Sequence, residues 1–345
     1  MRKPRQRSTE IRRFILENVS AHPRDITRLT SNRFRISRPA VLGHIHRLAD
    51  LGFLDAEGAT RARSYSLRLL VDDAFRFSLT ADAEEDRVWR HLVRPVLHDL
   101  PDNVMRICEF GMNEMLNNAI DHSEGSEAVI HIQQSAVDIS FLIQDNGVGI
   151  FNRILRNLPL SEPRQAILEL AKGKLTTDPS RHTGEGIFFV SRMFDEFAVF
   201  SEGLFFSPNE MSDQQIAKLQ RSGKGTGVRM RIGTRSKRTM EEVLAMYTSD
   251  QDDSFAFSST DVPVSLASFA GDHLVSRSQA RRLLARLREF HSITLDFEGI
   301  DSVGQAFADE VFRVFARNNP EIEVVPKNTN AQVDRMIRRV RAGTR

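Results

Sequence analysis

The sequence predicts a mixed α/β protein of three consecutive units, at residues 1–70, 75–235 and 255–345. Three observations carry that prediction. Apolar residues recur at helical spacing three times before residue 50, then give way to a Gly-containing hairpin rich in arginine. The middle of the chain alternates helical and strand periodicity around Gly-rich loops, as helices packed on a sheet require. The last stretch repeats strand and helix in turn, which implies a small open α/β sheet. With 345 residues and 40% hydrophobic content, the chain is long enough for two or three cores at about 100–200 residues each.

In the first unit, Ile11, Phe14, Ile15 and Val19 share one side of "STEIRRFILENV", with Ser8 or Thr9 as N-cap. "RDITRLTSNRF" gives a short second helix. A third, "ISRPAVLGHIHRLADLGFL", has Ser37 as N-cap, Pro39 in its first turn, and Val41, Leu42, Ile45 and Leu48 on its apolar face. "DAEGATRARSYSL" then supplies a hairpin bearing Arg61 and Arg63. Residues 1–50 hold twelve Lys/Arg against four Asp/Glu although the whole chain is only +2, so positive charge is concentrated here. Three helices and a basic hairpin resemble the winged helix-turn-helix family, whose third helix enters the DNA major groove. The resemblance implies that Arg38, His44 and Arg47 reach DNA, while Arg61 and Arg63 touch phosphate and so position the unit without reading sequence. The alternative is the same unit used for protein docking or dimerisation. His44 and His46 lie two apart on a helix and point to different faces, which argues against a metal pair.

Along "MRICEFGMNEMLNNAIDH", Cys108, Met112, Met115, Leu116 and Ala119 fall on one side of a helix and Glu114, Asn117, Asn118 and Asp121 on the other. Glu114 and Asn118 meet over the same turn. A solvated stripe would show the same pattern, but two adjacent asparagines are poor helix formers. "VDISFLIQDNGVGI" runs a strand into Asp145-Asn146-Gly147-Val148-Gly149, where the glycines permit either a plain hairpin or close backbone approach to a ligand. "HTGEGIFFVSRMF" opens an apolar helix with Gly184 and Gly186, and open N–H groups at a helix start suit phosphate. "GKGTGVRMRI" puts Gly225 and Thr226 at the head of another strand; it is not a Walker A loop, because Lys218 stands where the upstream glycine belongs.

In this order and spacing the four segments resemble the GHKL (Bergerat) ATP-binding superfamily of gyrase-type topoisomerases, mismatch-repair ATPases, histidine kinases and anti-sigma-factor serine kinases, the last being nearest in character. The resemblance covers roughly residues 75–235 and implies a site for ATP and Mg2+. Glu114 and Asn118 match the family's Glu-x-x-x-Asn. Asn118 would ligate Mg2+ through its side-chain oxygen, with phosphates and waters completing an octahedron; Asn117 and Asp121 share its polar row. Asp145 would accept the adenine amino group, Gly147 and Gly149 would shape that pocket, Gly184 and Gly186 would seat phosphates, and Thr226 would close the adenine side. Relatives use the residue at Glu114 to take a proton from water or from a substrate hydroxyl, which leaves both hydrolysis and phosphotransfer open. His122 either caps its helix or contacts phosphate. Residues 151–183 stand where the family keeps its ATP lid, and Lys172, Lys174, Arg181 and His182 are either γ-phosphate contacts or ordinary solvated charges. No dimerisation helix with a phosphoacceptor histidine lies upstream, which argues against a two-component sensor.

Beyond a linker near Ser249–Ser254, the pattern predicts a strand at 262–266, a helix at 276–290, the strand "SITLDFEGI", the helix "GQAFADEVFRVFARN", the strand "EIEVVP" and a helix at 329–342. "LDFEGIDSVGQAFADEVFRVF" resembles the STAS fold of anti-sigma-factor antagonists, in which the residue before the glycine of Asp-Ser-Ser/Thr-Gly is phosphorylated. Asp301-Ser302-Val303-Gly304 puts a valine there, and valine cannot accept phosphate. Ser302 is the hydroxyl that remains, and the unit is expected to dock a protein partner. Arg335, Arg338, Arg339 and Arg341 form either a solvated basic face or a nucleic-acid contact.

The single cysteine, Cys108, excludes an intrachain disulfide and a Cys-based zinc cage, which fits a reducing compartment. No apolar run approaches the ~18 residues that span a bilayer, so the expected location is the cytoplasm, without a membrane partner. The leading expectation is an ATP-binding, Mg-dependent DNA-binding regulator of transcription switched by nucleotide. The alternative is an ATPase or an anti-sigma-type serine/threonine kinase acting on a STAS-like partner. Because GHKL relatives often dimerise, a homodimer is a further expectation.

Overall fold

The computed structural model describes residues 4–80, 83–160, 162–175, 184–208, 224–249, 256–267 and 273–342; Arg181, His182, the Arg61 side chain and linker residues 250–255 lie outside these. Helices α1 (Pro4–Asn18), α2 (Ile26–Phe34) and α3 (Arg38–Asp50) pack around Ile11, Ile15, Ile26, Val41 and Ile45. Ser37 caps α3, its Oγ accepting from Ala40 N at 3.4 Å, and Pro39 stands in the first turn, where a missing N–H costs nothing. The antiparallel hairpin of β1 (Leu54–Glu57) and β2 (Ser64–Leu67) closes this core with Leu54 and Tyr65.

From Val71 the chain builds a six-stranded antiparallel sheet in the order β3 (Val71–Ser78), β4 (Glu127–Gln134), β5 (Asp138–Asp145), β8 (Gly227–Gly233), β6 (Glu196–Ser201) and β7 (Leu204–Phe206). Alternation fixes its buried face: Ile139, Phe141 and Ile143 of β5 and Val228, Met230 and Ile232 of β8 are buried, with half-buried residues between them. A short helix, α4 (Glu85–Val88), precedes α5 (Asp102–His122), which covers this face together with α8 (Gly186–Met193). Gly111 permits close packing, since a Cβ there would strike the Phe194 ring. Helices α6 (Ile150–Asn157) and α7 (Pro163–Lys172) lie between β5 and α8 in the chain.

Helix α9 (Met240–Tyr247) starts at a capping box made by Thr239 and Glu242. A two-residue ribbon, β9 (Thr248–Ser249) with β10 (Ala256–Phe257), leads to a parallel sheet of β11 (Ser259–Pro263), β12 (Ser292–Asp296) and β13 (Glu323–Lys327). Helices α10 (Arg277–Leu284), α11 (Gln305–Asp309) and α12 (Ala331–Ala342) complete this unit. Several boundaries differ from expectation. Helix α1 begins at Pro4, so Ser8 and Thr9 lie inside it and do not cap it. The helix expected over 304–318 changes from α to π geometry after Asp309. The first strand ends at Pro263, not 266, because proline has no N–H to extend the ladder. The helix expected to reach 290 ends at Leu284, and Arg286 turns the chain at a left-handed φ of 63°.

One apolar cluster runs from Val71 to Val340, so the central and C-terminal units share a core. The N-terminal cluster is distinct and meets the rest through Ala136 and Val137, in the turn between β4 and β5. Helix α7 is the joint of the shared core, buried at every residue from Ala166 to Lys172. Among the described residues no helix is long and apolar enough to cross a membrane.

Candidate functional site

A cavity of about 300 Å³ lies between α5, the ends of β5 and β8, α6 and the start of α8. On α5, Val104, Cys108, Met112 and Leu116 are buried in the core. That anchoring turns Glu114, Asn117, Asn118 and His122 to the cavity. At the floor, the Asp145 carboxylate is 6% exposed. Its Oδ1 accepts from Gly147 N at 2.8 Å and Thr226 N at 3.2 Å. Burial holds this carboxyl above the usual aspartate range, against the pull of those two N–H groups and the Thr226 hydroxyl. Thr226 Oγ1 also accepts from Ile150 N at 2.9 Å, so the carboxylate, the hydroxyl and the start of α6 form one hydrogen-bonded unit.

The loop after Asp145 is pressed against the end of α5. Val148 N donates to Ser123 O at 2.8 Å, and a Cβ on Gly147 would overlap that same carbonyl. Asn146 Oδ1 fastens the other side by accepting from Ser126 N and Glu127 N at 2.9 and 3.1 Å. Across the cavity, a Cβ on Gly186 would overlap the Glu114 carboxylate. Glu114 therefore stands against the first turn of α8, whose open N–H groups favour an anion.

Of the residues singled out in the sequence, Glu114, Asn117, Asn118, Asp145, Gly184, Gly186 and Thr226 line this cavity. Gly147 and Gly149 do not; they let the loop pack, Gly149 at a φ of 84°. Asp121 is exposed and outside the lining, because the cavity follows the i, i+4, i+8 ridge of Glu114, Asn118 and His122. Lys172 is not a lid cation. It is 1% exposed, and its Nζ lies 2.7 Å from Glu169 Oε1, 3.0 Å from Arg282 O and 2.9 Å from Ala285 O. Burial draws this ammonium below its usual value and Glu169 opposes the shift. Lys174 likewise turns to the C-terminal unit, donating to Glu289 O at 2.8 Å. Both lysines are diverted because α7 lies between the two units.

Sequence reasoning missed Arg153 and the apolar walls Ile150, Ile154 and Leu170. Arg153 donates to His122 O at 2.8 Å and Glu124 Oε1 at 3.2 Å. The available signal was its place on one helix face with Ile150 and Ile154, one turn past the Asp145 loop. In the N-terminal unit Arg38, Arg47 and Arg63 are exposed. His44 is half-buried, and burial together with nearby Arg12 lowers its pKa; exposed His46 shares the outer face with Gly43 and Arg47 instead.

Among the described residues no three His, Cys, Asp or Glu side chains gather as a metal cage. Asn118 offers a hard amide oxygen at the cavity wall, a donor that fits Mg2+ arriving with phosphates and water. Residues 79–207, which carry α5, the Asp145 loop and α8, match the family model of the histidine kinase-like ATPase domain. The chain contains a histidine kinase-like ATPase domain. The match ends after β7, so β8 and Thr226 lie beyond it. Residues 279–334 match the STAS-like domain of unknown function (DUF4325), from α10 into α12. None of the curated proteins matches the chain.

Proposed function

We propose that the ATPase domain binds ATP with Mg2+ in this cavity, and that its occupancy changes how the N-terminal unit, acting as a winged helix, meets DNA. The observation that carries the nucleotide reading is the convergence of Asp145 and the Glu114–Asn118 ridge on one cavity that ends at the head of α8. In this reading Asp145 grips the purine amino group and Thr226 closes that side. Asn118 holds Mg2+, which supplies neutralising charge at the phosphates, and the N–H groups from Gly186 onward seat the phosphate oxygens. Exposed Arg38, Arg47 and Arg63, with the positive charge gathered in residues 1–50, support the DNA contact. DNA affinity measured with and without Mg·ATP at matched salt tests the coupling. Equal affinities would defeat the switch, and no DNA binding at low salt would defeat the DNA reading.

A second reading, hydrolysis or serine/threonine phosphotransfer, is favoured by Glu114 standing at the head of α8. A carboxylate there can take the proton of an attacking water or hydroxyl beside the terminal phosphoryl group. Incubation with γ-labelled ATP separates the outcomes: label on protein means phosphotransfer, label only as free phosphate means hydrolysis, and unchanged ATP leaves a binding switch.

A further inference from the structure

Two elements that wall the cavity are fastened from behind by the STAS-like unit. Leu170 of α7 and Phe188 of α8 line the cavity, as does Leu175 just beyond α7. On the far side of α7, the Lys172 ammonium sits at the end of α10, where it takes the carbonyls of Arg282 and Ala285. A helix C-terminus carries unpaired carbonyls and partial negative charge, so a buried cation is stable there. Arg286 returns the contact, reaching Glu169 Oε2 at 3.0 Å and Lys174 O at 2.5 Å. Thr260 of β11 donates its hydroxyl to Lys172 O at 2.7 Å. Lys174 Nζ stands 4.7 Å over the Phe290 ring.

The phosphate-side helix is held in the same way. Phe188 packs its ring 4.5 Å from Phe257 and 5.0 Å from Tyr247. Arg192, one turn on, stacks 3.3 Å over Phe188 and donates to Asp261 O at 3.3 Å. Tyr247 adds a bond to Asp261 Oδ2 at 3.0 Å. Cavity wall and C-terminal unit therefore move together or separate at a buried, charged seam.

We propose that the STAS-like unit is a cis-acting retaining partner of the nucleotide site: docked on α7 and α8 through Lys172, Glu169 and Arg286, it slows release of bound nucleotide, and nucleotide in turn tightens the dock. This rests on the nucleotide reading above. Reciprocity is required, since a dock that raises affinity must be strengthened by the ligand to the same extent. A buried pair loses much more when one partner is removed than an exposed pair does, which makes the seam sensitive to a single substitution.

The test uses the full chain and a fluorescent N-methylanthraniloyl ATP with Mg2+, chased by excess ATP in a stopped-flow instrument. Arg286→Ala removes two hydrogen bonds of the seam, and Thr260→Val removes one with little change of shape; neither residue lines the cavity. Release about tenfold faster in Arg286→Ala and a few-fold faster in Thr260→Val is expected. In wild type, Mg·ATP should slow hydrogen exchange at the amides of residues 285–290, remote from the ligand. Release rates within twofold of wild type in both folded variants, or no ligand effect on those amides, overturn the proposal while leaving the nucleotide site standing. A wild-type chain that takes up no nucleotide overturns the site, and this inference with it.

Discussion

Asp145→Asn is the sharpest test of the nucleotide site because the structure separates its effect on binding from its effect on folding. Asp145 Oδ1 accepts the Gly147 and Thr226 N–H groups, and the amide oxygen of an asparagine can keep both bonds. Burial already disfavours the charged carboxyl, so replacing it by a neutral amide removes a desolvation cost from the ligand-free fold. The ligand-free melting temperature should therefore not fall. Binding should fall steeply, because an NH2 donor replaces the oxygen that meets the amino donor of adenine. Loss of a hydrogen bond to a charged acceptor costs about 1.5–3 kcal/mol, and two opposed donors left unsatisfied add roughly 1–2 kcal/mol. Together these weaken binding on the order of 10²–10⁴-fold. Isothermal titration of ATP·Mg into wild type and variant, beside thermal melts without ligand, gives both quantities. An Asp145→Asn chain that melts normally and binds ATP within about threefold of wild type would refute the placement of adenine on this carboxylate.

Acidification supplies a second check. The raised Asp145 pKa means that the folded chain holds this proton more tightly than the unfolded chain, so protonation favours folding: that stability is fully present below the usual 3.8 and is lost as pH rises through the raised value. For binding the sign is reversed: the affinity gap between wild type and Asp145→Asn should narrow as pH falls toward the raised pKa, and a constant gap from pH 7 to 4 would assign the carboxyl another role. Glu114→Ala should leave ATP affinity equal or tighter, since it removes an anion from the head of α8, while any turnover drops ~10²–10⁴-fold; turnover at the wild-type rate would move proton transfer elsewhere. Gly186→Ala forces its new Cβ into the Glu114 carboxylate and should weaken nucleotide binding, whereas wild-type affinity would show that this approach is dispensable. Arg47→Ala, on the exposed face of α3, should lower DNA affinity and flatten its dependence on salt, and an unchanged salt slope would remove Arg47 from the contact.

The parts legible in the sequence were those fixed by neighbours in the chain. Ser37 and Pro39 start α3 through contacts within one turn, and the Glu114–Asn118 ridge follows from helical geometry alone. Gly186 was legible as a glycine at a helix start, but its partner Glu114 lies on another helix and only the fold brings them together. Asp121 shows the limit of a helical wheel: it shares the angle of the polar row, yet the cavity follows the ridge that ends at His122 and Ser123. Lys172 reads as a surface cation because its stabilising partners, the carbonyls of Arg282 and Ala285, lie 110 and 113 residues away. Its one local partner, Glu169 three residues earlier, makes a spacing that a solvated helix pair would share, so the sequence does not separate the buried pair from an exposed one.

The distinct N-terminal core constrains how a nucleotide signal could reach it. Strand β5 has Val137 just before its first residue, against the N-terminal cluster, and Asp145 at its last, on the cavity floor. At about 3.3 Å per residue those ends stand roughly 25 Å apart. The strand is paired on both sides, with β4 and β8, along nearly its whole length, so stretching or slipping it would break ladders on two edges at once. The same turn also holds the connection from the hairpin, where Leu70 N donates to Gln134 O at 2.7 Å. A rigid strand transmits position but not deformation. Any effect of nucleotide on α3 must therefore act by moving the N-terminal unit as a body about Ala136 and Val137, or by changing what the chain assembles with, and not by reshaping α3 itself.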